Sequence, residues 1–566
     1  MESLKKLCIP RTFEHDTDVQ DITDLIENRI DPALFFETNY KTQGMAVLFS
    51  TAFERFKGKS QQQLIKLTQS MGGGKTHNMI SLGLIAKHPD FRKQIIGKEY
   101  KDDGLGPVEV LAFSGRESNT PNGIWGEIAR QLGKETEFKS LWEGGLRAPG
   151  QSEWINMLKG TPKLILLDEL PPYLENAKTI TVGQGDLAIV STTALANLFN
   201  ALNRTELSNV LIVISDLKAN YQSGTRLLQS SFSNLEGEVN RFALDIQPVG
   251  SSSDEIYDIL RTKLFAQLPD KSVVNEIAVA YKAKVEEAKN LGFTNYNADK
   301  LFTGIKESYP FHPSIRELYE RFRENQNFQQ TRDLIRLMRK VVTSMWSSGL
   351  AEKRFLVNAY DIDLNESGMN TTITQIKPSL GNAISKDIAN ESRATAELID
   401  AQYKIEFISQ VAKLLLVASL ADVPNALLGL TQSELVGYLV EPDKDITSYR
   451  NAFEEFISQA WYIHSDKDGR LHFQNVRNLI AELNSLVDGY DEESARLEIR
   501  KFLEDRFKPV LSDCYQRVLV FPAIDQIKLE EDKIHLVLFE PNIAGSGLNP
   551  DLVRLYDDTQ YKNRVM

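Results

Sequence analysis

Leu64-Ile65-Lys66-Leu67-Thr68-Gln69-Ser70-Met71-Gly72-Gly73-Gly74-Lys75-Thr76-His77 decides how the rest of the chain is read. The apolar run Leu64 to Thr68 predicts a strand, the glycines a tight turn, and the apolar stretch Thr76 to Ala86 a helix. Three glycines let successive backbone N–H groups turn inward around a triphosphate without Cβ clashes. The N-terminus of the following helix adds positive partial charge. In this layout Met71, Gly72, Gly73 and Gly74 cradle phosphates and Lys75 reaches the β- and γ-phosphates. The Thr76 hydroxyl holds Mg²⁺. The usual first glycine of such a loop is replaced by Gln69, which predicts an altered strand exit and not a dead site. A bare glycine cluster would only cap a helix; strand, glycines, Lys-Thr and helix together predict an ATP site.

Lys163-Leu164-Ile165-Leu166-Leu167-Asp168-Glu169 supplies the second half. Four apolar residues predict a strand buried on both faces, with two carboxylates at its C-terminal end, where ligands of open parallel sheets bind. Asp168 is the expected Mg²⁺ residue and Glu169 the group that polarises attacking water. Val210 to Ile214 is another buried strand ending in Ser215-Asp216. Either of these fits the polar residue, called sensor 1, that AAA+ ATPases present between carboxylates and γ-phosphate; equally, the pair caps a loop. Arg241, ahead of the strand Phe242–Ile246, sits where AAA+ proteins carry an arginine finger for the neighbouring subunit. A helix-ending arginine is the other reading. Arg332, with Arg336 one turn on, resembles a sensor 2 arginine of a helical lid.

Outward from this core, with the strand Val108–Phe113 added, strands alternate with helical patterns, which predicts α/β architecture: a P-loop, AAA+-like parallel sheet covered on both faces. Residues 1–60 read as a helical segment, with Asp21 to Ile30 and Thr42 to Phe56 flanking a turn-like DPALFFETNY. Residues 61–252 form the ATPase core and 253–346 a helical lid. Residues 347–393 read as a connector with little core of its own. Residues 394–485, helices followed by a hairpin turning at Asp468-Gly469, predict a winged-helix module. Residues 486–566, with strands Val518–Phe521 and Ile534–Phe539, read as a small α/β region that stops inside a domain at Met566.

The chain has 566 residues, 42% apolar and 25% charged, with 65 basic against 78 acidic side chains, a net charge of −13. That is a globular composition with room for several domains. Cys8 and Cys514 cannot build a disulfide framework, which suits a reducing cytoplasm. The opening MESLKKLCIPRTFEHD lacks an apolar signal core, and Leu414 to Val423, broken by Ser419 and Asp422, is too short to cross a membrane. The acidic balance argues against a surface coated for nucleic acid. The seven histidines are scattered without ligand partners, so no zinc site is expected.

FFETNYKTQGMAVLFSTAFERFKG, LTQSMGGGKTH, IWGEIARQLG, LILLDELPPYL, DEIYDILRTKLF, then SYPFHPSIRELYERF and NFQQTRDLIRLM follow in this order. Together they resemble a prokaryotic domain-of-unknown-function family of AAA+-like P-loop ATPases from antiphage defence islands, similar to BREX-type ATPases. The resemblance spans roughly Asp31 to Lys340. It implies Lys75, Thr76, Asp168 and Glu169 as the nucleotide site, with ATP and Mg²⁺, and makes His77 part of the family pattern. It also implies longer relatives and defence partners such as a DNA methyltransferase or helicase, while an arginine finger acting in trans would make activity depend on a homo-oligomer.

Three functions follow. The leading one is an ATPase that powers or gates a defence complex acting on DNA. A nucleotide-dependent switch or scaffold with little turnover is the second, favoured by Gln69. A DNA translocase is the third, with no helicase motifs beyond the shared pair. DNA contact, where made, is expected to be local or indirect, because the helix Ser448–Gln459 of the winged-helix module carries Glu454 and Glu455, which phosphates repel.

Overall fold

A computed structural model of the chain describes residues 1–12, 20–69, 72–98, 100–101, 104–116, 120–215, 235–250, 255–445, 450–510, 514–528, 533–540 and 550–558. In it the apolar runs become β1 (Leu64–Leu67), β2 (Glu109–Ser114), β3 (Lys163–Asp168), β4 (Val210–Ser215) and β5 (Ala243–Ile246). They form one parallel sheet in the order β2-β3-β4-β1-β5. Every residue of β3 and β4 is buried, because helices cover both faces. Successive side chains alternate between those faces. Leu164 and Leu166 of β3 pack with helix α1 (Gln43–Phe56) and helix α2 (Lys75–Lys87), whereas Ile165 and Leu167 join Trp125, Trp154 and Leu198 on the opposite side.

β4 separates the glycine-loop strand from the carboxylate strand, so the C-terminal ends of three neighbouring strands meet at one edge. In register, Leu67 lies opposite Ser215 and Ser114 opposite Asp168. That edge holds the site.

The chain then leaves the sheet through helix α3 (Glu255–Leu264) and later helix α4 (Gln330–Ser347). A single core runs from Ile256 to Phe473 and takes in Leu4 and Cys8. Three stretches differ in detail from the sequence expectation. Residues 347–393, expected to be a connector with little core of its own, bury Leu356, Val357, Ile373, Leu380 and Ile388 in that shared core. The stretch includes the helix Ser367–Ile376, whose Met369, Ile373 and Ile376 are buried at three- and four-residue spacing, between short turns of 3-10 and π helix that carry no such period. Of the expected N-terminal helical segment, residues 1–60, the first residues hold a short helix, Leu4–Leu7, and then a strand. Ile9–Pro10 pairs antiparallel with Phe265–Gln267 beside the lid helices, and Leu4 N–H donates to the Arg354 carbonyl. DPALFFETNY is likewise more than a turn, since Pro32–Glu37 is a helix capped by Asp31.

Four helices follow: α5 (Thr395–Tyr403), α6 (Phe407–Ala418), α7 (Gln432–Leu439) and α8 (Arg450–Gln459). A hairpin of β6 (Ile463–Ser465) and β7 (Leu471–Phe473) completes them. Asp466 Oδ1 accepts the N–H groups of Asp468 and Arg470, and Gly469 supplies the left-handed residue, φ 72°. Leu430, between α6 and α7, bridges Leu471 on the hairpin. The chain divides into two compact units, Met1–Val476 and Arg477–Met566, so the second begins before the residue 486 expected from sequence. This second unit holds α9 (Leu479–Asp488), α10 (Glu492–Arg506) and the parallel pair β8 (Arg517–Val520) and β9 (His535–Leu538). Among the described residues no helix is long and apolar enough to cross a membrane.

Candidate nucleotide-binding site

The glycine loop is shaped residue by residue. Gly72 and Gly74 take φ of 80° and 88°, the left-handed region that side chains resist. Gly73 is glycine for room, since a Cβ there would lie 2.5 Å from the Gln69 side chain. Lys75 opens α2 and its ammonium donates to the Gln69 carbonyl at 2.5 Å. Next to it, Thr76 Oγ1 donates to Asp168 Oδ2 at 2.5 Å. The helix that follows the loop is thereby joined to the carboxylate strand, although β4 separates that strand from the loop strand in the sheet.

Asp168 is 4% exposed. Burial pushes its carboxyl above the ordinary range, against the pull of hydrogen bonds from Thr76 and Ser215, and Glu169 adds to the upward push. A hydroxyl beside a buried carboxylate is an oxygen pair suited to a hard divalent cation, so Thr76 and Asp168 fit Mg²⁺. Glu169 sits in the left-handed region, φ 51°, and its N–H donates to Ser215 Oγ and to Asp168 Oδ1, each at 3.0 Å. Ser215 of the expected pair therefore reaches the carboxylates. Asp216 and Met71 lie outside the described residues.

Sequence reading missed Arg116. Its Nε pairs with Glu169 Oε2, because parallel pairing of Ser114 with Asp168 sets the next residues of the two strands side by side. Gly115 between them has no space for a Cβ, which would lie 1.7 Å from the Glu169 carbonyl oxygen. The available signal was Ser-Gly-Arg following a predicted strand.

The lid closes the other side. Arg332, Arg336 and Arg339 of α4 all line the cleft, whose volume is about 580 Å³, well within the range of nucleotide-sized ligands. Arg332 N–H donates to the Gly72 carbonyl at 3.2 Å, and its guanidinium to Gln329 Oε1 at 3.3 Å. Arg336 leans on Asp333 at 3.5 Å. Tyr40, Val249, Ile259, Lys263 and Ile335 also line the cleft. His77 joins the P-loop helix to the N-terminal segment: its ring stacks on Phe35, centroids 4.8 Å apart, and Nε2 donates to Asn39 Oδ1 at 2.7 Å. Burial, with Lys263 nearby, pushes its pKa down to about 3, so the ring is neutral. Arg241 stands apart. It is exposed, outside the cleft, with its guanidinium over the Phe242 ring at 5.2 Å.

A parallel sheet, a glycine loop feeding a helix, and a carboxylate strand with its acid against the loop threonine give this α/β fold the layout expected of a P-loop protein. Residues 14–246 match the DUF499 N-terminal domain and residues 251–448 the DUF499 second domain. The chain carries both domains of that family, in order. Similar solved structures include domain III of the Thermotoga maritima replication initiation protein DnaA, at 14% identity and TM-score 0.25, covering 62% of this chain and 98% of that one. Drosophila ORC bound to DNA is another, at 12% identity and TM-score 0.31, covering 84% of this chain and 95% of that one. No curated protein matches.

Proposed function

We propose that this chain is an AAA+-like ATPase that binds ATP with Mg²⁺ and hydrolyses it. The observation that carries the reading is the Thr76–Asp168 contact at 2.5 Å, which joins loop and carboxylate strand at the ligand edge of the sheet. Backbone N–H groups of Gly72 to Thr76 cradle the phosphates and Lys75 neutralises the β- and γ-oxygens. Thr76 and Asp168 hold Mg²⁺, which supplies charge neutralisation to the transferring phosphoryl group. Glu169, its backbone fixed by Ser215, orients the attacking water as general base. Arg332, or Arg336 a turn away, reaches the γ-phosphate from the lid. Arg241, exposed, is offered to a neighbouring copy, so turnover depends on homo-oligomer assembly.

The Arg116–Glu169 ion pair favours a second reading, a nucleotide-dependent switch with slow turnover, because a carboxylate already engaged by a guanidinium has one oxygen fewer with which to orient a water. The helices α6, α7 and α8, the hairpin and the Leu430 bridge support a winged-helix module. Its α8 is acidic, and Glu455 accepts a hydrogen bond from Tyr403, which supports protein docking over reading of DNA and weighs against a translocase. A place in an antiphage defence complex, beside a DNA methyltransferase or helicase, rests on the family resemblance alone.

The test is ATP hydrolysis across protein concentration, with and without duplex DNA. Lys75→Ala is expected to abolish nucleotide binding. Glu169→Gln should bind ATP yet turn over at least about a hundredfold more slowly. Equal rates in wild type and both variants would falsify the ATPase reading. Tight binding without turnover under every condition moves the conclusion to the switch.

A further inference from the structure

Gln69 stands where P-loops ordinarily have glycine, and its side chain is fully engaged. Nε2 donates to the Val249 carbonyl at 3.3 Å and Oε1 accepts the Val249 N–H at 3.1 Å, a two-point clasp on the backbone. Val249 belongs to Gln247–Gly250, the segment that leaves β5 for the lid. That segment is held on its other side as well. Thr42 Oγ1 donates to the Pro248 carbonyl at 2.6 Å, and a Cβ on Gly44 would lie 2.1 Å from the Gln247 oxygen. Glu255, at the start of α3, accepts the Gln43 N–H at 2.6 Å.

The other end of the Gln69 residue faces the phosphate site. Its carbonyl accepts from the Lys75 ammonium, the same group that serves the phosphates in the function proposed above. A bound phosphate competes with this carbonyl for the ammonium. Release of the carbonyl loosens the Gln69 backbone while the side chain stays clasped to Val249, so movement at the loop is passed to the lid segment. Glycine at this position would have no side chain to pass it on. The second loop–lid contact, Arg332 N–H on the Gly72 carbonyl, gives the lid a grip on the far side of the same loop.

We propose that Gln69 is a positioning residue that couples phosphate occupancy of the loop to the setting of the helical lid. The inference rests on the nucleotide-site reading. It is tested on the full chain by hydrogen exchange over Gln247–Gly250 and Glu255–Leu264 with and without the non-hydrolysable analogue AMP-PNP and Mg²⁺, alongside binding and steady-state kinetics. Two variants are compared. Gln69→Gly removes the clasp. Gln69→Glu keeps the length and the oxygen that accepts from Val249 N–H, but sets a carboxylate against the Val249 carbonyl, and it carries the test should the glycine variant melt early.

Wild type is expected to show slower exchange across this segment when AMP-PNP binds. Both variants should bind the analogue within about threefold of wild type, lose that change in exchange, and show kcat reduced about tenfold at nearly constant KM. Variants that respond to AMP-PNP as wild type does would overturn the coupling and leave the nucleotide site standing. Folded variants that bind no analogue would also overturn it, because Gln69 would then belong to the phosphate grip itself. A wild-type chain that binds no nucleotide sinks the coupling together with the reading beneath it.

Discussion

His312 shows how much a single buried side chain can carry. Its Nδ1 accepts the Ser314 N–H at 3.1 Å, fixing the first turn of the following helix, and its ring meets Tyr438 edge-on at 5.9 Å. Burial pushes its pKa from 6.5 down to about 4, although Glu317 and Glu441 pull the other way. A folded value below the unfolded one means that the unfolded chain takes the proton first. No cost arises above pH 6.5, and stability is lost progressively as pH falls from 6.5 to 4. The full loss amounts to at most about 3 kcal/mol. Chemical denaturation of wild type and His312→Gln at a series of pH values should show a smaller acid loss in the variant. Parallel profiles would place the acid sensitivity elsewhere, with His77 as the next group to examine.

At the scale of elements, the turn containing Arg354 is pinned to the segment after α7. The guanidinium meets Asp361 Oδ1 at 3.1 Å and Glu441 Oε1 at 2.9 Å, and Tyr360 donates to that same Glu441 oxygen at 2.8 Å. All three charged side chains are buried. Arg354→Ala leaves Asp361 in the core without its cation and Glu441 with Lys444 alone, and should cost about 3–5 kcal/mol, read as a drop in denaturation midpoint. A loss below about 1 kcal/mol would mean that water reaches the cluster. This network also shows where sequence reading stops. β1, β3 and β4 were legible because four to six consecutive buried residues leave a local mark. The glycine loop was legible because its chemistry demands adjacent residues. Arg354 and Glu441 are 87 positions apart, and the Arg116–Glu169 pair exists only through strand register. Neither contact has a local pattern, and two-residue strands such as Ile9–Pro10 are too short to leave one.

For the molecule as a whole, the division at Val476–Arg477 separates a unit with deep cores from one whose helices are barely buried. α10 has no buried residue, and Leu479, Leu483 and Phe502 are 88%, 59% and 68% exposed. Everything assigned to the nucleotide site lies in Met1–Val476. Limited proteolysis of the full chain should therefore give a stable fragment ending near Val476 that still binds AMP-PNP. A fragment of that length that has lost binding would show that Arg477–Met566 contributes to the site. Within Met1–Val476 the polypeptide passes between sheet body and helical body twice, once between Arg11 and Asp21 and again between Gly250 and Glu255. Between these crossings the two bodies are also joined directly, by Arg11 on Glu37, by the Gln43 N–H on Glu255 and by the Arg332 N–H on the Gly72 carbonyl. A pull on any one of these contacts is shared among the rest, as load is along a seam.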